Sequence, residues 1–346
     1  VRPTQPRFAV WRILPFLGGL LLALLVGIHF GAVQLSLSEI WQGLTGAAAG
    51  AQIETILWQI RLPRVVLAAC VGCGLAIAGA AFQGVFRNPL ADPFVIGASS
   101  GAALGATLAL LCLAGSVTVI TSTGQVPWLI LAAFGGAMLI VGAVFVIASL
   151  SNLGRSAPLL TLILAGMALS SFTGALVSLI MFLNHEMLNT IFNWLLGSFS
   201  GRHWNEIAIA GPVILVSGGL LWMLSRPLDL LSFGDETAMS LGLPSGKVRL
   251  LILAAATLCT AACVSVSGVI GFLGLMAPHM TRILLGPRHG LLIPGSALLG
   301  ATLLVIADTL ARTVIAPTEI PVGVVTALMG CPFFLFLLIS RGRQTM

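Results

Sequence analysis

The chain has 346 residues, 58% hydrophobic and only 8% charged, with a formal net charge of +6. A soluble domain carries about 25% charged residues, so a water-covered globular enzyme is excluded, and the same hydrophobicity excludes disorder. Apolar runs of about 20 residues, rather than alternating strands of about 10, also set a porin-like barrel aside and point to helices crossing a ~30 Å hydrocarbon core.

Arg2, Arg7 and Arg12 precede an apolar run at 13–33. That run is too long for the apolar part of a signal peptide and long enough to span, so it is read as a retained first span. Further spans are expected at 65–86, 93–114, 127–150, 158–183, 207–225, 248–268, 269–286, 291–311 and 321–340. Gly268, Gly271 and Gly274 interrupt the seventh and eighth, and Pro278 lies just inside the eighth. Segments 53–60 and 187–196 are expected as short helices on the outer surface. The expected fold is an all-α polytopic membrane protein, one transmembrane domain over 1–346 with ten helices in an inverted five-plus-five repeat. The pentapeptide Leu-Gly-Ala-Thr-Leu at 104–108 and 299–303 points the same way in both copies, so it reads as small-residue packing and not as evidence of inversion.

With the N-terminus inside, Arg2, Arg7, Arg12, Arg87, Arg155, Arg226, Lys247, Arg249, Arg282, Arg288, Arg341 and Arg343 fall at inner ends, which is 12 of the 16 basic residues. Arg61, Arg64, Arg202 and Arg312 fall outside. This bias places both termini in the cytoplasm and explains the basic charge without nucleic acid. Trp11, Trp41, Trp58, Trp128, Trp194, Trp204 and Trp222 all lie near span ends, where an indole suits the membrane interface.

Few motifs carry chemistry of their own. Gly242-Leu-Pro-Ser-Gly246-Lys247-Val248 is one residue short of a phosphate-binding loop and lacks its magnesium-binding hydroxyl. Any ATP hydrolysis therefore belongs to a partner. Gly97-Ala98-Ser99-Ser100-Gly101 matches a serine-nucleophile pattern, but it opens an apolar Gly- and Ala-rich helix, where packing is the plainer reading. An intramembrane serine protease would use Ser99 with a helical base such as His279. Cys70 and Cys73 have metal-like spacing without a second pair, and read as buried packing. Asp308 and Arg312, four residues apart, share a helix face and can pair. The spans lack a central carboxylate, which an ion-coupled secondary transporter would need.

The loop 226–247 is expected to form two short helices on the cytoplasmic face. Pro227 begins the first, Gly234 ends it, and Asp235 or Ser232 caps the second, with Glu236 in its first turn. Leu230, Leu231, Phe233, Met239 and Leu241 would form the apolar surface of a knob suited to docking in another protein's groove.

Arg61-Leu-Pro-Arg64, Gly84-Val-Phe-Arg87-Asn88-Pro89-Leu90-Ala91-Asp92-Pro93, Gly271-Phe-Leu-Gly-Leu-Met-Ala-Pro278-His279 and Ile320-Pro-Val-Gly323 occur in that order. Together they resemble the membrane permeases of bacterial ABC importers for ferric siderophores, haem and vitamin B12. The resemblance covers nearly the whole chain. It implies a non-catalytic permease in the bacterial inner membrane, working by alternating access between periplasm and cytoplasm. Its partners would be a second copy of itself, two ATPase subunits inside, a periplasmic substrate-binding protein and membrane lipid. The chain would bind no cofactor or metal, with ATP and magnesium held by the ATPase.

Carried over residue by residue, the resemblance gives Arg61, Arg64 and Arg312 a role in docking the binding protein. It gives Leu231, Phe233, Gly234, Asp235, Glu236, Ala238, Leu241 and Gly242 a role in coupling to the ATPase. Asn88 and Leu90 match an inner gate, and Leu159, Leu160 and Thr161 match a second gate element; here that element is more apolar than in the vitamin B12 permease, so it is expected to close by dewetting. The stretch Leu195-Leu-Gly-Ser-Phe-Ser-Gly201 and the Asn-Pro-Leu-Ala-Asp-Pro motif are most similar to haem permeases, with ferric siderophore and vitamin B12 as the alternative cargoes.

Overall fold

The computed structural model describes residues 11–31, 35–45, 50–113, 126–151 and 159–342, and among these all regular structure is helical. Arg2, Arg7, Arg155 and Arg343 lie outside the described residues. The helices in chain order are α1 (Leu14–His29), α2 (Leu37–Thr45), α3 (Ala51–Thr55), α4 (Leu62–Phe86), α5 (Ala98–Leu113), α6 (Val126–Leu150), α7 (Leu159–Leu183) and α8 (Leu188–Leu195). They continue as α9 (Trp204–Met223), α10 (Ser225–Ser232), α11 (Asp235–Ser240), α12 (Ser245–Ser267), α13 (Leu273–Leu285), α14 (His289–Thr313) and α15 (Val322–Gly342).

Six helical stretches among the described residues are long and apolar enough to cross a membrane: Ala51–Phe86, Trp128–Leu150, Leu159–Leu183, Trp204–Met223, Ser245–Ser267 and His289–Thr313. Shorter apolar helices at Leu14–His29, Ala98–Cys112 and Val322–Leu337 coincide with the expected spans 13–33, 93–114 and 321–340. The expected span 269–286 has a different form. It begins with non-helical backbone, and α13 has only 13 residues, a length of about 20 Å at 1.5 Å per residue, short of a ~30 Å core.

The break before α13 is sealed by protein. Gly268 (φ 72°) and Phe272 (φ 66°) turn the chain, and the Ser198 N–H donates to the Ser267 carbonyl at 2.8 Å. The Gly323 N–H donates to Leu196 O at 3.1 Å. These bonds pair irregular backbone with neighbouring protein, the condition under which a broken helix is tolerated in a membrane protein. Residues 187–196, expected to hold a short helix, form α8, whose Ile191 and Trp194 are buried against the bundle.

The segment 53–60 corrects the sequence reading. It is not a free surface helix: α3 runs through a π-helical stretch, Ile56–Arg61, straight into α4. The whole forms one 36-residue helix: no Gly or Pro interrupts the chain until Pro63, which lies inside that helix just where the π-helical stretch gives way to α-helix.

Helix α4 is the axis of the bundle, with α14, α12, α13 and α9 packed around it. Close approach depends on glycine. A Cβ on Gly72 would lie 2.4 Å from the Gly300 carbonyl oxygen, and one on Gly79 only 1.8 Å from that of Gly274. Gly105 meets Ala132 O in the same way. Both copies of Leu-Gly-Ala-Thr-Leu thus place their glycine in a helix crossing, as packing predicts. Outer helices leave broad apolar faces, with Leu164, Met167, Phe172, Leu179 and Phe182 of α7 all exposed.

Candidate functional site

Two polar assemblies lie at opposite ends of α4, about 35 Å apart along a helix rising 1.5 Å per residue. The first gathers Arg61, Arg64 and Arg312, which the sequence reading had grouped. All three are buried. Arg64 donates from Nε and Nη2 to Asp308, with Nη2 to Oδ1 at 2.8 Å, and from Nη1 to both oxygens of Glu319 at 2.8 and 3.0 Å. Arg312 lies 3.7 Å from Asp308 Oδ2, as their i,i+4 spacing predicts, and donates to the Gly27 carbonyl. Arg61 donates to the carbonyls of Ile28 and His29, the latter at 2.9 Å. The C-terminal end of α1 has no further helical turn to satisfy these carbonyls, so the guanidinium groups cap it.

The second assembly is the pair of short helices α10 and α11. Leu231 and Ala238 are fully buried, whereas Phe233, Met239 and Leu241 are exposed. Leu231 therefore belongs to the inner face of the knob and not to its surface, a correction imposed by packing against the bundle. Asp235 does not cap α11 either: Gly234 takes the N-cap position, and Asp235 pairs with Arg249 of α12. Gly242 (φ 82°) ends α11, with Gly242 N–H to Met239 O at 2.9 Å and Leu243 N–H to Ala238 O at 3.0 Å. These two bonds form a Schellman motif, which requires a left-handed residue there. Glu236 lies in the first turn of α11, as the sequence reading placed it, and is exposed.

Asp229 ties α10 to α14. One carboxylate oxygen accepts from His289 Nδ1 at 2.6 Å and from the His289 N–H at 2.9 Å. Burial pushes this carboxyl up, but the bonds from His289 outweigh it and hold the group below its ordinary value.

The Asn88-Pro-Leu turn abuts the knob. A Cβ built on Gly234 would lie 3.5 Å from Arg87 Nη1. Arg87 itself is left-handed (φ 50°) and closes α4, with Asn88 N–H reaching Gln83 O at 3.2 Å. The Asn88 side chain accepts from Leu90 N–H at 3.0 Å, and Asp92 from Phe94 N–H at 2.8 Å. Burial raises the Asp92 carboxyl to about 6, against the lowering effect of that bond. The turn then packs on α7, where a Cβ on Gly166 would lie 2.5 Å from Val95 O. Leu159, Leu160 and Thr161 begin α7, and Leu160 is exposed. The structure thus joins residues 93–97 to Gly166, one turn or more beyond these three. Ser100 donates to Gly97 O at 3.0 Å and lies 3.1 Å from the Ser170 hydroxyl, which fits helix packing.

Glu319, Asp229, His289, Arg249, and the Arg282–Gln83 contact at 2.9 Å were not singled out from sequence. Glu319 carries one usable mark, since it directly precedes the Ile320-Pro-Val-Gly323 motif. The others carry none, because their partners are remote in the chain.

Comparison with known proteins agrees with this architecture. The FecCD transport family matches residues 19–340. The hemin transport system permease protein HmuU of Yersinia pestis is 39% identical over 342 residues, covering 98% of each chain. The cobalamin import system permease protein BtuC of Halobacterium salinarum is 43% identical over 288 residues, covering 83% of this chain and 74% of its own. An inward-facing structure described as a metal-chelate type ABC transporter superposes with a TM-score of 0.82 and 33% identity, over 95% of this chain and 98% of that one. Helix packing, ordered motifs and near-complete coverage agree, and the chain belongs to the FecCD transport family.

Proposed function

We propose that this chain is the non-catalytic permease subunit of an ATP-driven importer that moves haem or a ferric siderophore from periplasm to cytoplasm. The observation that carries this reading is the near-full-length likeness to a hemin transport permease. A homodimer would place the exposed faces of α7 and the apolar cavity of about 520 Å³ beside Gly323 and Leu328 at its two-fold axis. The protein would lie in the bacterial inner membrane with ten spans, in five-plus-five order, and both termini cytoplasmic. A periplasmic binding protein would dock near Arg61, Arg64 and Arg312.

Two partner ATPases, which hold ATP and magnesium, would receive Phe233, Met239 and Leu241. The Asp229–His289 and Asp235–Arg249 pairs would carry their motion into α14 and α12. The adjoining Arg87-Asn88-Pro-Leu90 turn would respond, together with the start of α7, as the inner gate. Differential contacts between the inward and outward states supply the coupling. Vitamin B12 is the second cargo reading, favoured by the likeness to a cobalamin permease.

The test is to tag the chain, recover it from native membranes in mild detergent and identify what accompanies it. A stoichiometric ATPase subunit supports the importer reading. The recovered complex then goes into liposomes for uptake of haem, a ferric siderophore and cobalamin in parallel. A chain that purifies alone and transports on an ion gradient overturns the proposal in favour of a secondary transporter.

A further inference from the structure

Arg64 is held by two carboxylates of unequal standing. Asp308 is sealed in the bundle, its side chain 2% exposed, and it sits within the helix α14. Glu319 binds the remaining Nη1 at 2.8 and 3.0 Å, yet its side chain is 37% exposed. It lies in the non-helical stretch between α14 and α15. Glu319 also lines a cavity of about 180 Å³ together with Arg61, Arg64, Arg312, Gly31 and Ile60. A water takes about 30 Å³, so this space accommodates a carboxylate with part of its hydration shell.

The charges set the direction. Three arginines against Asp308 and Glu319 leave the assembly at +1; with Glu319 turned to solvent it stands at +2. Asp308 cannot leave without stranding a buried guanidinium, whereas Glu319 can exchange its hydrogen bonds for water.

We propose that Glu319 is an internal stand-in for a partner's carboxylate. It occupies Arg64 Nη1 in the free chain and is displaced when an acidic side chain of a docking protein enters the cavity. The proposal rests on the docking role given above to Arg61, Arg64 and Arg312. Its consequence is that docking affinity is a difference between two similar ion pairs, which keeps the site from holding its partner too long and rejects partners without a carboxylate at that point.

The probe is the substrate-binding protein that co-purifies with the tagged chain, titrated against the complete transporter in nanodiscs. Glu319→Gln keeps the shape of the side chain and removes its charge. It is expected to tighten binding about fivefold, in the range of an exposed ion pair, and the gain should fade as salt is raised. Glu319→Asp, which shortens the reach, is expected to give a smaller gain in the same direction. Unchanged or weaker binding in both variants, while wild-type affinity still falls with salt, overturns the stand-in role and leaves the docking site intact. Wild-type binding that ignores salt overturns the docking site as well.

Discussion

Asp229 and His289, 60 residues apart, meet through two hydrogen bonds to one carboxylate oxygen, at 2.6 Å from the ring and 2.9 Å from the backbone. The bond links the first short helix of the knob to the start of a long apolar helix. It also has a defined pH dependence. The carboxyl lies below its ordinary value in the fold, so its contribution to stability is complete above the unfolded value, about pH 4. It is lost as pH falls through the lower folded value. Thermal unfolding of the purified protein should show this loss only below about pH 4. Asp229→Asn should flatten the profile there and lower stability at neutral pH by about 1 kcal/mol or less.

Asp308→Asn should be far more damaging. It leaves Arg64 and Arg312 buried with their shared counter-charge removed, a loss of about 3–5 kcal/mol for a broken buried pair. The unfolding midpoint in detergent and the yield of folded protein should both drop. A midpoint within a degree of wild type would show that the arginines are not held by Asp308.

Gly79→Ala should separate α4 from α13. The added methyl would sit 1.8 Å from the Gly274 carbonyl oxygen and 2.7 Å from its Cα, and backbone cannot step aside as a flexible side chain does. Overpacking of this kind costs about 1–3 kcal/mol. Gly135→Ala is the control, since nothing lies within 4 Å of its Cβ position, and it should be neutral or slightly stabilising.

Phe233→Ala and Glu236→Lys should each weaken capture of the ATPase about tenfold, in keeping with loss of an interface anchor. Both residues are exposed, so thermal unfolding of the isolated chain should not move. Unaltered recovery of the ATPase with both variants would remove this knob from the coupling interface.

The knob shows how far sequence reading reaches. Two short helices broken near Gly234 and ended at Gly242 were legible, since a left-handed Gly is a local requirement. Which apolar residues face outward was not. Leu231 and Phe233 are two positions apart and equally apolar, yet one is buried and the other 73% exposed. Neither local period nor propensity separates them, because the bundle wall against α10 decides the matter.

The order of motifs and the apolar runs were enough to establish a helical membrane protein and the approximate course of its long helices. Spanning a hydrocarbon core is a property of about 20 consecutive residues, and transfer energy adds along the chain. The ion-pair assembly was settled elsewhere. Arg64 meets Asp308 and Glu319 across separations of 244 and 255 residues. What brings them together is the crossing of α4 with α14 at Gly72 and Gly300, where two backbones touch because neither carries a side chain. Charge pairing follows from that approach, and only the packed helices specify it.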